Sequence, residues 1–289
     1  MKTENLKLKI FLISSLLIFI LVGLSIYEYF RFNDGKLHVV FCNVGQGDGI
    51  FIRTPKGIDM LVDGGPDDSV LSCLSSHMPF WDRTIELVFM THPHADHMRG
   101  LMDVFKRYKV LNFSTEKIEN DTDLYRELIN QVKSEKLKVK SLYVGDKFKT
   151  KDGVTFRILH PTESFLKTAA PSGLINEASE LASLIILISY EETDIILTGD
   201  SEISGLKEAL LRQLTDQGKQ SVEVLQVPHH GSRFGLDAEI VQKLNPKLAV
   251  ISVGKNNYGH PSKEVLEILE DSDIKILRTD LNGEIYLKF

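Results

Sequence analysis

Four side chains of the kind that hold divalent metals fall within six residues of Thr91-His92-Pro93-His94-Ala95-Asp96-His97, directly after an apolar run that ends at Met90. The chain has nine histidines in 289 residues, so three in one such hexad are not chance crowding on a surface. Imidazole nitrogens with a carboxylate suit zinc, manganese or iron. The apolar run reads as a buried strand. A strand-end loop that enters a helix can point His92 and His94 one way and Asp96 and His97 the other, an arrangement for two adjacent metals. A fold that serves this segment must bring further ligands to the same place, and it must do so from other strand ends.

Three segments qualify. Asp63 follows Met60-Leu61-Val62 and precedes Gly64-Gly65, where it can orient a ligand histidine or a metal-bound water. Asp200 follows Ile195-Ile196-Leu197 in Thr198-Gly199-Asp200, and is assigned as a carboxylate bridging two cations. In Val227-Pro228-His229-His230-Gly231-Ser232, strand alternation lets one histidine of the pair face the metals. His229 is assigned as that ligand and His230 to a supporting or substrate-contacting role. A turn at Gly231 then sets backbone N–H groups and Ser232 against an anion.

The amino terminus constrains where this chemistry happens. Ile10 to Tyr27 runs eighteen residues without a charge, roughly 27 Å as a helix against a ~30 Å hydrocarbon layer. Its apolar residues circle the helix with no charged face to meet water, which argues against the buried helix of a soluble domain. Lys2, Lys7 and Lys9 precede it, so the expected layout is a cytoplasmic tail (1–9), a single membrane-crossing signal-anchor (10–27), a linker (28–36) and a domain (37–289) on the outer face of the cell membrane. Gly23-Leu24-Ser25 offers a cleavage site, so secretion after signal removal stands as the alternative. Cys42 and Cys73 are too few for a disulfide scaffold, and whether they pair is open.

From Leu37 onward, strand signals recur through the chain, beginning with a strand, glycine turn and strand over 37–54. Helical periodicity appears over 97–108, 121–135 and 263–269, and more weakly over 203–214. This predicts one α+β domain of layered sheets and helices. A net charge of −6 gives no global positive field to recruit nucleic acid, so an anionic substrate must be held locally. Seven lysines between Lys133 and Lys151 could track a phosphate backbone, but read more simply as a solvated strand face.

These motifs resemble the metallo-β-lactamase superfamily, whose members carry His-x-His-x-Asp-His after a strand and bind two metals in a four-layered αβ/βα sandwich. Asn43-Val44-Gly45-Gln46-Gly47-Asp48, Leu61-Val62-Asp63-Gly64-Gly65, Leu197-Thr198-Gly199-Asp200, Pro228-His229-His230-Gly231-Ser232 and Tyr258-Gly259-His260-Pro261-Ser262 are similar to the hydrolase domain of ComEC-type competence proteins. The polytopic channel region that accompanies that domain has no counterpart here, so DNA import by this chain alone is not expected. Many superfamily members place another histidine before the bridging aspartate. Between His97 and Asp200 this chain has only His160, read as structural, with Glu180 as a substitute ligand or an ordinary loop acid.

The resemblance implies two divalent ions, zinc or manganese, held by His92, His94, Asp96, His97, Asp200 and His229. Such ions acidify a water and polarise the oxygen under attack. Asp96 or Asp63 then accepts a proton, and His260 contacts the substrate or the leaving group. The expected substrate is a phosphodiester, either DNA or a cell-wall polymer such as one bearing phosphorylcholine. Lactone or β-lactam hydrolysis, and a tethered scaffold with a degenerate metal site, are the competing functions. The oligomeric state is not legible.

Overall fold

Strands buried along their whole length, such as His38–Phe41 and Asp59–Val62, need cover on both faces. The chain supplies that cover by stacking two sheets with helices outside. The computed structural model describes residues 2–175, 182–217 and 221–289. Among these, the first sheet contains β1 (His38–Phe41), β2 (Ile50–Arg53), β3 (Asp59–Val62), β5 (Leu87–Met90), β7 (Asn112–Thr115), β8 (Lys138–Ser141) and β16 (Ile285–Lys288), in the order β16-β1-β2-β3-β5-β7-β8. The second contains β9 (Lys147–Lys149), β10 (Thr155–His160), β11 (Ile185–Tyr190), β12 (Thr193–Leu197), β13 (Val224–Gln226), β14 (Leu248–Ile251) and β15 (Lys275–Arg278), in the order β15-β14-β13-β12-β11-β10-β9. The two-residue strands β4 (Thr84–Ile85) and β6 (Lys109–Val110) pair separately.

Val39, Phe41, Ile50, Ile52 and Phe89 of the first sheet meet Phe156, Ile186, Ile188 and Ile195 of the second in the central core. Outside the first sheet lie α2 (Ser69–His77), α4 (Leu101–Arg107) and α5 (Asp123–Ser134), whose Leu74, Leu101 and Leu128 pack on Phe51, Val88 and Phe113. Outside the second lie α7 (Ile203–Gln217), α8 (Ala238–Leu244) and α9 (Lys263–Asp271), with Leu206, Ile240 and Val265 against Leu187, Ile196 and Leu225. The result is the expected four-layered α+β sandwich. Cys42 and Cys73 are joined by a disulfide, Cα atoms 5.7 Å apart, that ties the end of β1 to α2.

Direction matters more than layer count. The run β3-β5-β7-β8 is parallel, and so is β12-β13-β14-β15. Loops at the carboxyl ends of parallel strands are where open α/β sheets build sites, and Asp63, His92, Asp200 and His230 all follow such ends. At the opposite end of β2 and β3, Arg53 Nη1 donates to Asp59 Oδ1 at 2.7 Å, and Arg53 Nε donates to the carbonyl of Phe32 at 3.2 Å. Phe32 ends α1 (Lys2–Phe32), of which Asn5–Phe32 is long and apolar enough to cross a membrane; its side chains are uncovered until Phe32 itself, which is buried against the sandwich. Residues 28–32, assigned to the linker from sequence, continue this helix. No glycine or proline interrupts it there, and Glu28 pairs with Arg31 one turn later at 3.4 Å.

The helix expected over 97–108 is two helices, α3 (Ala95–Met98) and α4, broken at Gly100. The break lets the metal motif lie on the Asp63 loop: Gly64 N donates to His97 O at 2.7 Å and Gly100 N to Gly65 O at 3.0 Å. A Cβ on Gly100 would run into the carbonyls of Gly64 and Asp67. Gly100→Ala should therefore cost about 3 kcal/mol, read as a lowered denaturation midpoint. An unchanged midpoint would mean that this crossing does not hold the two loops together.

Candidate metal centre

Two compact donor sets share Asp200. Asp96, His97, Asp200 and His230 each offer one ligand atom, all within 4.8 Å of one another, and His92, His94 and Asp200 do the same. His97 Nε2 lies 3.2 Å from Asp200 Oδ1, His230 Nε2 lies 3.6 Å from that oxygen and 3.5 Å from Asp96 Oδ2, and His92 Nε2 lies 3.6 Å from Asp200 Oδ2. His97, Asp200 and His230 are buried, yet His97 Nε2, Asp200 Oδ1 and His230 Nε2 have no hydrogen-bond partner among the described residues. Buried polar atoms left unpaired are costly. Imidazole nitrogens and a shared carboxylate converging in this way fit divalent cations.

The backbone under these groups is unusual. Asp63, His229 and His230 all adopt left-handed φ, at 59°, 50° and 55°, conformations that cost side-chain-bearing residues energy and cluster at functional sites. His229 and His230 lie in a tight turn, not in a strand. Strand alternation, on which His229 was assigned as the ligand, does not apply to a turn, and it is His230 that the structure brings into a donor set. The turn buries His230 and ties its Nδ1 to Ser252 O at 2.9 Å, which leaves Nε2 toward Asp96 and Asp200. His229 stands at the rim, Nε2 3.8 Å from Asp200 and Nδ1 3.8 Å from Glu202, outside both sets.

Asp63 is fully buried and accepts from Thr91 N at 2.7 Å, from Thr91 Oγ1 at 2.7 Å and from His97 Nδ1 at 2.8 Å. It orients His97 so that Nε2 faces Asp200, as a carboxylate behind a ligand histidine does. Both oxygens are buried and engaged in these bonds, an arrangement that suits orienting His97 rather than the alternative expectation of a proton acceptor. His160 is also buried, but faces Glu208 and the ring of Phe165, away from both donor sets. Glu180 lies outside the described residues.

Sequence reasoning gave no role to Asp48. It is buried beside both histidines, with Oδ1 3.8 Å from His230 Nδ1 and Oδ2 accepting from Gln226 Nε2 at 2.6 Å. The signal was Gly47. A Cβ there would collide with the carbonyl of Asp96, so the glycine turn exists to lay Asp48 against the metal motif.

Charge in the ion-free cluster is shared out by environment. Burial opposes a proton on His97, but the carboxylates of Asp200, Asp63 and Asp96 outweigh it and hold its pKa well above the usual histidine range. Burial likewise opposes His230, yet Asp200 and Asp96 raise it to about 9. Asp200 is held well below the carboxylate range by His97, His230 and His92 in spite of burial. His92 is pushed well down, and His94 down, by burial and by the nearby His97. Asp48 is pushed up to about 6 by burial.

Beside this cluster, a cleft of about 720 Å³ is lined by His229, His260, Arg233, Phe234, Tyr258 and Lys263, with Glu202 and Glu264 as its acids. His260 is held by Asn256, whose Oδ1 accepts from the N–H groups of Tyr258, Gly259 and His260 at 3.0, 3.0 and 3.1 Å. Its ring lies 5.5 Å from that of His229, and burial lowers its pKa. The Lys133–Lys151 lysines lie largely on β8 and β9, the exposed outermost strands of the two sheets.

No family model matches the chain. Among curated proteins it is similar to ComE operon protein 3 of Bacillus subtilis, 27% identical over 279 residues covering 89% of this chain and 33% of that protein. It is also similar to Recombination protein 2 of Haemophilus influenzae, 24% identical over 276 residues covering 93% and 31%. The chain thus spans about a third of the length of these ComEC-type competence proteins. Among solved structures it resembles the metallo-β-lactamase fold protein YhfI from Bacillus subtilis (TM-score 0.55, 10% identity, 88% of this chain and all of that one). The fold is that of the metallo-β-lactamase superfamily. CmlA, a diiron β-hydroxylase from Streptomyces venezuelae (TM-score 0.57, 15% identity, 88% and 54%), and Zn²⁺-bound PqqB from Methylobacterium extorquens (0.51, 11%, 87% and 100%) share it.

Ligation needs neutral imidazole, so a cation entering the His97/His230 set displaces protons from groups whose pKa values are raised. Below about pH 9, affinity should therefore fall by about tenfold per pH unit for each proton displaced. Calorimetric titration in buffers of different ionisation enthalpy measures this directly. Affinity that does not change with pH would contradict the charge distribution described.

Proposed function

We propose that the chain is a membrane-tethered, metal-dependent hydrolase of phosphodiesters, working on the outer face of the membrane. The observation that carries the reading is the pair of donor sets sharing Asp200 beside a cleft that carries both cations and exposed aromatic rings. Zinc or manganese suits such nitrogen and oxygen donors; among proteins of this fold, PqqB is described as zinc-bound and CmlA as diiron. Bound there, divalent ions polarise the substrate oxygen and acidify water.

The chain's own residues supply position. Asp63 fixes His97, and Ser252 fixes His230. Asp96 is drawn well below the usual carboxylate range by His97 and His230 against the effect of burial, which makes it a better ligand than base. Arg233 and Lys263 offer charge to a substrate phosphate, while Phe234 and Tyr258, 54% and 77% exposed, offer faces to a planar group. His260, favoured in its neutral form, serves as a substrate contact rather than a cationic acid. Placement on the outer face is supported by Lys2, Lys7 and Lys9 before the apolar helix. It is also supported by the Cys42–Cys73 bridge, which persists in oxidising surroundings.

The test is turnover by the full chain in detergent, with zinc or manganese, of bis-p-nitrophenyl phosphate, linear DNA, a phosphorylcholine-bearing polymer and a β-lactam. Asp200→Ala and His230→Ala should each lose at least about a hundredfold in kcat/KM, since even the partners behind metal ligands are worth roughly 10–100-fold. His229→Ala should lose less. Folded protein that binds no metal and turns over none of these substrates would end the hydrolase reading in favour of a tethered scaffold.

A further inference from the structure

The end of the sandwich that faces α1 carries a feature the metal centre does not use. Asp82 N donates to Pro79 O at 2.9 Å, closing a turn whose tip is Phe80 and Trp81. The two rings pack edge to face with centroids 4.7 Å apart, yet are 62% and 47% exposed. Two large aromatic side chains left bare at the tip of a short turn have no role in the core and need a partner.

Their position identifies one. Arg53 Nη1 lies 3.7 Å from Asp82 at the foot of the turn, and the same guanidinium donates through Nε to the carbonyl of Phe32, the last residue of α1. Arg31, in the last turn of α1, donates to the carbonyl of Ser76 at 3.3 Å. The aromatic turn is therefore tied, through one buried arginine, to the point where the apolar helix meets the domain. Beside it, Lys109 N donates to Arg83 O at 2.7 Å and the Arg83 guanidinium lies over Tyr108, so Arg83, two residues from Trp81, and the exposed Lys109 bonded to it stand next to the turn.

We propose that Phe80 and Trp81 insert into the headgroup and acyl boundary of the bilayer that α1 crosses, with Arg83 and Lys109 against lipid phosphates, so that the domain docks on the membrane. The proposal rests on α1 as a membrane span. Aromatic rings are the side chains that settle at this depth, and basic residues beside them add attraction to anionic lipid. The partner is the lipid surface itself, continuous with the point where the span enters it.

Trp81 is the only tryptophan of the chain, so its emission reports this turn alone. The full chain is reconstituted in vesicles of phosphatidylcholine and phosphatidylglycerol with and without brominated acyl chains, and excited beyond the tyrosine band. Docking predicts a loss of emission with brominated chains, a blue shift relative to the protein in detergent, and reduced quenching by aqueous acrylamide. Phe80→Asp should restore acrylamide quenching. Flotation after an alkaline carbonate wash reads the span separately. Protein that stays with the vesicles while Trp81 ignores the bromines and remains open to acrylamide overturns the docking and leaves the anchor. Protein that washes off overturns the anchor, and the docking with it.

Discussion

The structure is organised around one electrostatic problem, the burial of Asp200 among four histidines and Asp96 where two sheets meet. Each of these groups costs free energy to take from water, and each becomes tolerable only when its neighbours supply the opposite charge or a ligand. Much else follows from keeping them at the required distances. Left-handed backbone at Asp63, His229 and His230, the glycine crossings at Gly47 and Gly100, the hydrogen bonds that Asp63 and Ser252 accept from His97 and His230, and the one that Gln226 donates to the neighbouring Asp48 aim or support those side chains. Such conformations lower stability locally, so the large three-part core has to hold them in place.

What was legible in the sequence follows the physics of strand ends. A buried strand announces itself by apolar residues, and whatever polar group comes next projects from the sheet. That logic located Asp63, His92, His94, Asp96, His97 and Asp200. It does not apply at His229 and His230, because Pro228 starts a tight turn, and in a turn the rule of alternating faces has no meaning. Asp48 escaped because it lies in a loop and acts through packing against Asp96 rather than from a strand end. Among the elements, α2 was hidden by its serines, although Val70, Cys73 and Leu74 carry the helical spacing. The strand β7 was hidden by Asn112, Ser114 and Thr115, polar residues that a parallel strand can bury once helices cover it.

The lysine-rich stretch illustrates a different limit. By composition it could have been a track for phosphate. By place it forms the open edges of both sheets, on β8 and β9, where exposed lysines discourage pairing with another strand. The cations that adjoin the metal centre, Arg233 and Lys263, carry no signal in composition at all. A charge run in sequence thus says little about function until the topology shows which end of the strands it occupies.

The short strand β3 joins two regions that have nothing chemically in common. Asp59 at its start is paired with Arg53 beside the last residue of α1, and Asp63, just past its end, steadies His97. Four residue steps of extended chain separate them by about 14 Å. β3 therefore acts as a strut of fixed length between the root of the apolar helix and the donor sets. The donor sets thus stand at a set distance from the point where α1 leaves the sandwich.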